Sequence, residues 1–82
     1  MLSKLVEYGI NLDSKGADWL LCILEEAAYC RDRAEKFSVR RYLLGLNCTE
    51  IEIKAAYASI SKALKDARYN GTMTQFIQNC LD

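Results

Sequence analysis

The chain has no histidine and no proline. Without histidine it lacks the side chain most often used as a general base near neutral pH and as a metal ligand. A cysteine nucleophile here would have no imidazole to activate it. There is no G-x-S-x-G, no phosphate-binding glycine loop and no pair of carboxylates placed for acid–base work, so the sequence predicts neither an enzyme nor a bound cofactor. No apolar run approaches the roughly 18 residues that a membrane span requires. Nor is there an excess of charge of one sign: eleven basic residues face eleven acidic ones. Phosphate contacts supply much of the affinity of small DNA-binding domains. In a neutral chain, any such affinity has to come from a local patch. The four cysteines, Cys22, Cys30, Cys48 and Cys80, form no C-x-x-C pair. A zinc site would therefore need four thiolates gathered from scattered positions. They are expected to be small apolar core residues of a protein in the reducing cytoplasm, with no metal. The opening Met-Leu-Ser-Lys leads into an amphipathic turn, which is not the pattern of a secretory leader.

What the chain does have is helical patterning. Its 82 residues are 51% hydrophobic and 27% charged, with no linker, repeat or low-complexity stretch, and this composition fits one compact domain spanning residues 1–82. Leu2, Leu5 and Val6 form a short apolar edge that Gly9 can end in the left-handed conformation. Asp13 or Ser14 can cap a second helix carrying Trp19, Leu20, Ile23, Leu24, Ala27 and Cys30 at three-four spacing, which should fade around residues 33–36. Gly16 near its start costs about 1 kcal/mol relative to alanine, a cost that a close helix contact would offset. Gly16 and Trp19 are accordingly read as packing determinants. Thr72 with Gln75 can form a capping box ahead of Phe76, Ile77, Cys80 and Leu81. No segment alternates at period two, beyond a small wing that Gly71 would permit. The predicted class is all-α, a compact bundle of about five helices. Helices two and four should pack together through Trp19, Leu20, Ile23, Leu24, Ile53, Tyr57, Ile60 and Leu64, closed on one side by Phe76 and Ile77.

The stretch from Ser38 to Gly71 is the most informative. Ser38 can cap a short helix bearing Val39, Tyr42, Leu43 and Leu46. Asn47-Cys48-Thr49 then interrupts, with asparagine well suited to a left-handed turn. Thr49 opens the next helix as the first member of a T-x-x-E box closed by Glu52. Ile53, Ala56, Tyr57, Ile60, Ala63, Leu64 and Ala67 make its apolar face, and Asn70-Gly71 is expected to end it. Two helices joined by so short a turn read as a helix-turn-helix, a device that sets its second helix in the DNA major groove.

Taken together, Glu7-x-Gly9-Ile10-x-x-x-x-Lys15-Gly16-x-x-x-Leu20, Asn47-Cys48-Thr49 with Ile53 and Ala56, and the closing Met73-Thr74-Gln75-Phe76-Ile77 resemble a known family. It is the C-terminal DNA-binding effector domain of the master response regulator of sporulation in endospore-forming Firmicutes. The resemblance implies a helix-turn-helix fold of five or six helices and a role as a transcription regulator. The family domain is longer, mainly between the recognition helix and the last helix. On a gap-free register from Asn47, the places where the family presents arginines and a histidine are held by Glu52, Ala55, Ala58 and Ser59.

Two readings of function follow. In the first, Arg40, Arg41, Lys54, Lys62 and Lys65 contact DNA, with two copies of the chain pairing as a homodimer on adjacent half-sites. The same lysines, with Arg68 and Ser61, also fit the wet face of an amphipathic helix, and Arg31 to Arg41 also fit a solvated loop with local pairs such as Arg31–Glu35. In the second, the same fold serves as a protein-binding inhibitor or adaptor, for example a phage or mobile-element product acting on host machinery. Tyr69, expected to be partly exposed, is then the candidate contact for the protein partner. Tyr42 and Tyr57 belong with the core.

Overall fold

The computed structural model describes all 82 residues as five helices without strands: α1 (Leu2–Glu7), α2 (Lys15–Asp32), α3 (Val39–Gly45), α4 (Glu50–Asp66) and α5 (Met73–Leu81). No helix is long and apolar enough to cross a membrane. Four of the five starts are fixed by local chemistry. The hydroxyls of Ser14, Ser38, Thr49 and Thr72 accept from the backbone N–H groups of Ala17, Arg41, Glu52 and Gln75. At Thr49 and Thr72 the box is closed from the other side, since Glu52 and Gln75 accept the cap residue's own N–H. Each cap satisfies donors that the first helical turn leaves unpaired.

The helix ends share one device. After α1, α2, α3 and α4 a single residue takes positive φ: Gly9, Ala34, Asn47 and Arg68. In each case the next N–H reaches back five residues, as in Ile10 to Leu5, Glu35 to Cys30, Cys48 to Leu43 and Tyr69 to Leu64. These are Schellman closures, and only one of the four uses glycine. Arg68, at φ 60°, ends α4. The helix therefore stops before Asn70-Gly71, the stop that the sequence predicts. Gly71 matters for space instead: a Cβ there would lie 2.7 Å from the Tyr69 ring. The chain at Gly71 forms a bend and no strand wing.

The main core is a seam between α2 and α4, closed by α5 and α1. Leu5, Ile10, Ala17, Leu20, Ile23, Leu24, Ile60, Leu64, Phe76 and Ile77 are buried in it, together with Cys80. Gly16 sits where the two long helices meet. A Cβ on it would overlap the Ser59 carbonyl oxygen and lie 2.6 Å from Ala63 Cβ. A second, smaller cluster, Leu43, Ile53 and Ala56, fastens α3 to the N-terminal half of α4. Trp19, Val39 and Tyr42 pack against both clusters and join them. Trp19 and Tyr57 are half-buried, in place of the full burial predicted for them. The cysteines also depart from expectation. Cys80 alone is buried, Cys30 and Cys48 are half-buried, and Cys22 is exposed on the rim of a shallow groove that it shares with Tyr29 of α2 and Tyr42 of α3.

Candidate nucleic-acid interface

The interface candidate is the outer face of α3–turn–α4. Asn47 at φ 66° closes α3, and the Thr49 box starts α4 two residues later, with Cys48 between them packed on the Leu43, Ile53 and Ala56 cluster. Ile53, Ala56, Ile60, Ala63 and Leu64 face inward and are buried. At about 100° per residue the opposite face of α4 carries Ile51, Ala55 and Ala58 along its centre, with Lys54, Lys62 and Lys65 inside a sector of about 80° around it. All six side chains are exposed.

The five predicted cations are not equivalent. Arg40 pairs with Glu50, joining the start of α3 to the start of α4. Lys62 pairs with Asp66 one turn further along α4 at 2.8 Å. Arg41, Lys54 and Lys65 have no carboxylate within 4.0 Å. Both pairs are solvent-exposed, and such pairs contribute about 0.2–1 kcal/mol, little enough for a phosphate to compete with the carboxylate.

The acids at the start of α4 are occupied as well. Glu50 holds Arg40. Glu52 accepts the Thr49 N–H at 2.8 Å. That bond, reinforced by the Thr49 hydroxyl, keeps the Glu52 carboxyl below its ordinary pKa. Glu50 is thus neutralised by Arg40, whereas Glu52 keeps its negative charge beside the Thr49 N–H, and Lys54 one turn along α4 is unpaired.

Tyr69 has the partial exposure predicted for it. It is half-buried, its ring packed edge-on against Tyr8 at 5.7 Å and Phe76 at 5.2 Å between centroids. Its hydroxyl accepts from Asn79 Nδ2 at 3.0 Å. The ring joins α1, the α4–α5 connection and α5. The basic stretch before α3 also rearranges. Arg31 pairs with Asp32 and donates to the Leu81 carbonyl, whereas Glu35 pairs with Arg33 at 2.6 Å. The predicted Arg31–Glu35 pair does not form.

The feature that residue-type reasoning passes over is apolar. Leu44, Leu46 and Ile51 are 46%, 51% and 81% exposed around the turn. The signal was present in the sequence: Ile51 falls off the apolar stripe of α4 by half a turn. A groove of about 650 Å³ lies between the end of α2, Tyr57 and α5, floored by Ala27, Phe37, Met73 and Ile77. It includes none of the five cations. No three His, Cys, Asp or Glu side chains come together as a metal-binding group. Burial pushes the Cys80 thiol up in pKa, so it stays protonated near neutral pH. Comparison with protein-family models, curated proteins and solved structures finds no match to this chain.

Proposed function

We propose that the chain is a small helix-turn-helix regulator that binds duplex DNA through the outer face of α4 and the start of α3. The observation that carries this reading is the pair of exposed lysines Lys54 and Lys65, free of any carboxylate, on the outer flank of α4, with Glu50 at the helix start already paired to Arg40. The sequence resemblance to the sporulation effector domain supports it. Arg40 and Lys62 would join on approach to phosphate, exchanging carboxylate partners for the DNA backbone. A single copy with so few cations binds weakly, and two copies on adjacent half-sites gain affinity through effective concentration. The molecule measures 30 × 28 × 20 Å, so two fit side by side at the roughly 34–36 Å separation of successive major-groove half-sites. The reading assigns no catalytic residue and places the protein in the cytoplasm.

The test is binding to random duplex DNA across a salt series. Each phosphate neutralised adds about 0.9 to the slope of log affinity against log salt, so three to five contacts per copy give a slope of about 3 to 5. Replacing Lys54 and Lys65 together with Ala should lower that slope by about 2. Glu50→Gln should tighten binding and raise the slope by up to about 1, because it releases Arg40. The absence of measurable affinity at low salt for both the wild type and Glu50→Gln would overturn the reading.

A second reading rests on the exposed trio Leu44, Leu46 and Ile51. Apolar side chains in this setting also suit a protein partner. On that reading the chain is an inhibitor or adaptor that shows no duplex affinity, and an Ile51→Ser substitution abolishes capture of its partner.

A further inference from the structure

We infer that the centre of this face reads the methyl groups of thymine, so that the chain prefers T-bearing DNA by apolar contact and makes no hydrogen-bonded base readout. The inference rests on the DNA-binding reading above and specifies its selectivity. In a helix-turn-helix the N-terminal part of the second helix meets the base edges. In α4 that part carries Ile51, Ala55 and Ala58 along the outward line. None of the three has a side-chain donor or acceptor. Neither acid nearby is free to accept from a base edge: Glu50 is held by Arg40, and Glu52 is folded back onto the Thr49 N–H. Lys54 and Lys65 both lie along one flank of that line, at positions suited to the phosphates of one strand beside the groove.

Among the four bases only thymine presents an apolar group in the major groove, its C5 methyl. Ile51 is 81% exposed. It gains the most from covering such a methyl, since no part of the fold shields it from water. The rim of unpaired cations supplies charge complementarity to a polyanion, and the centre supplies apolar complementarity to thymine.

The experiment compares two alternating duplexes of equal length, one built from dA and dT and the other from dA and dU. They differ only in the C5 methyls. Burying one methyl is worth about a fourfold change in affinity, and two about fifteenfold. The thymine duplex should therefore bind at least about fourfold more tightly at the same salt, with an unchanged salt slope. Ile51→Ser, at an exposed position, should keep the slope and lose most of the preference, and an unchanged helical circular dichroism spectrum would show that its fold is intact. Equal affinity for the two duplexes, with a measurable slope, overturns the inference and leaves the DNA-binding reading standing. A preference that survives in full in Ile51→Ser also overturns it. Failure of the wild type to bind any duplex overturns both, and the apolar face then belongs to a protein contact.

Discussion

The two halves of α4 are held by unequal amounts of core. The C-terminal half, with Ile60, Ala63 and Leu64, is sealed into the main cluster of thirteen buried side chains. The N-terminal half, with Ile53 and Ala56, shares only Leu43 in a cluster of three. One continuous helix therefore has a rigidly seated end and a lightly seated end, and the lightly seated end carries the candidate interface. Small clusters open at lower free energy than large ones. The α3–turn–α4 corner thus has room to adjust against a partner while the α2–α4 seam keeps the fold.

The largest test of this contrast is a matched pair of truncations. Ile60→Ala should cost about 2–5 kcal/mol and lower the stability of the whole domain. Leu43→Ala should cost less, toward the low end of that range, and hydrogen exchange should show the loss concentrated in α3. Equal losses spread over the whole chain would mean that the two clusters are one cooperative unit.

Gly16→Ala probes the strong side of the comparison. Its new Cβ meets the Ser59 backbone carbonyl and Ala63 Cβ at 2.6 Å. Backbone cannot swing aside as a flexible side chain can, so the two helices must separate. Thermal or denaturant unfolding should show a loss of about 1–3 kcal/mol, even though alanine is the better helix former.

Arg68→Gly and Ala34→Gly should act in the opposite direction. Both positions hold positive φ at a helix end, where a Cβ costs about 1–2 kcal/mol, partly offset by the greater freedom of glycine in the unfolded chain. Each should stabilise by about 0.5–1 kcal/mol in the same measurement.

The smallest effect is in the pH dependence. The folded Glu52 carboxyl has a lowered pKa because it accepts the Thr49 N–H. A group lowered in the folded state stabilises above its unfolded pKa, near about 4.3 for glutamate, and loses that contribution as pH falls through the folded value. The wild type should therefore melt above Glu52→Ala by a constant margin over about pH 5. The margin should narrow below about pH 4.

Much of the fold was legible because its determinants are local. Ser14, Ser38, Thr49 and Thr72 each announce a helix within three residues, and the apolar stripes of α2 and α4 fix which faces meet. Gly16 was readable as a close contact, although its partners, Ser59 and Ala63, lie more than forty residues away. Asn47 was readable because asparagine tolerates positive φ. Ala34 and Arg68 were not, since neither residue type signals it. Packing and the Schellman hydrogen bonds hold them there. For the same reason the sequence predicts the end of α4 at Asn70-Gly71, two residues beyond Arg68.

The candidate site was legible in its parts and not in its arrangement. Lys54, Lys62 and Lys65 follow from helical spacing. That Glu50 engages Arg40, leaving Arg41 as the unpaired cation of α3, depends on how two helices meet across a turn. Tyr69 shows the same limit: its ring is claimed by Tyr8 and Phe76, and contacts at such separations leave no local mark.

By itself, the sequence determined five helices, their caps, the turn between α3 and α4 and the two apolar stripes that make the seam, because each follows from hydrogen bonds and periodicities within a few residues. Tertiary structure decided which charges are neutralised, which aromatic rings are buried and which cysteines are covered. Each of these depends on the distance between groups remote in the chain, a quantity that the packing of the α2–α4 seam sets and no short stretch of sequence contains.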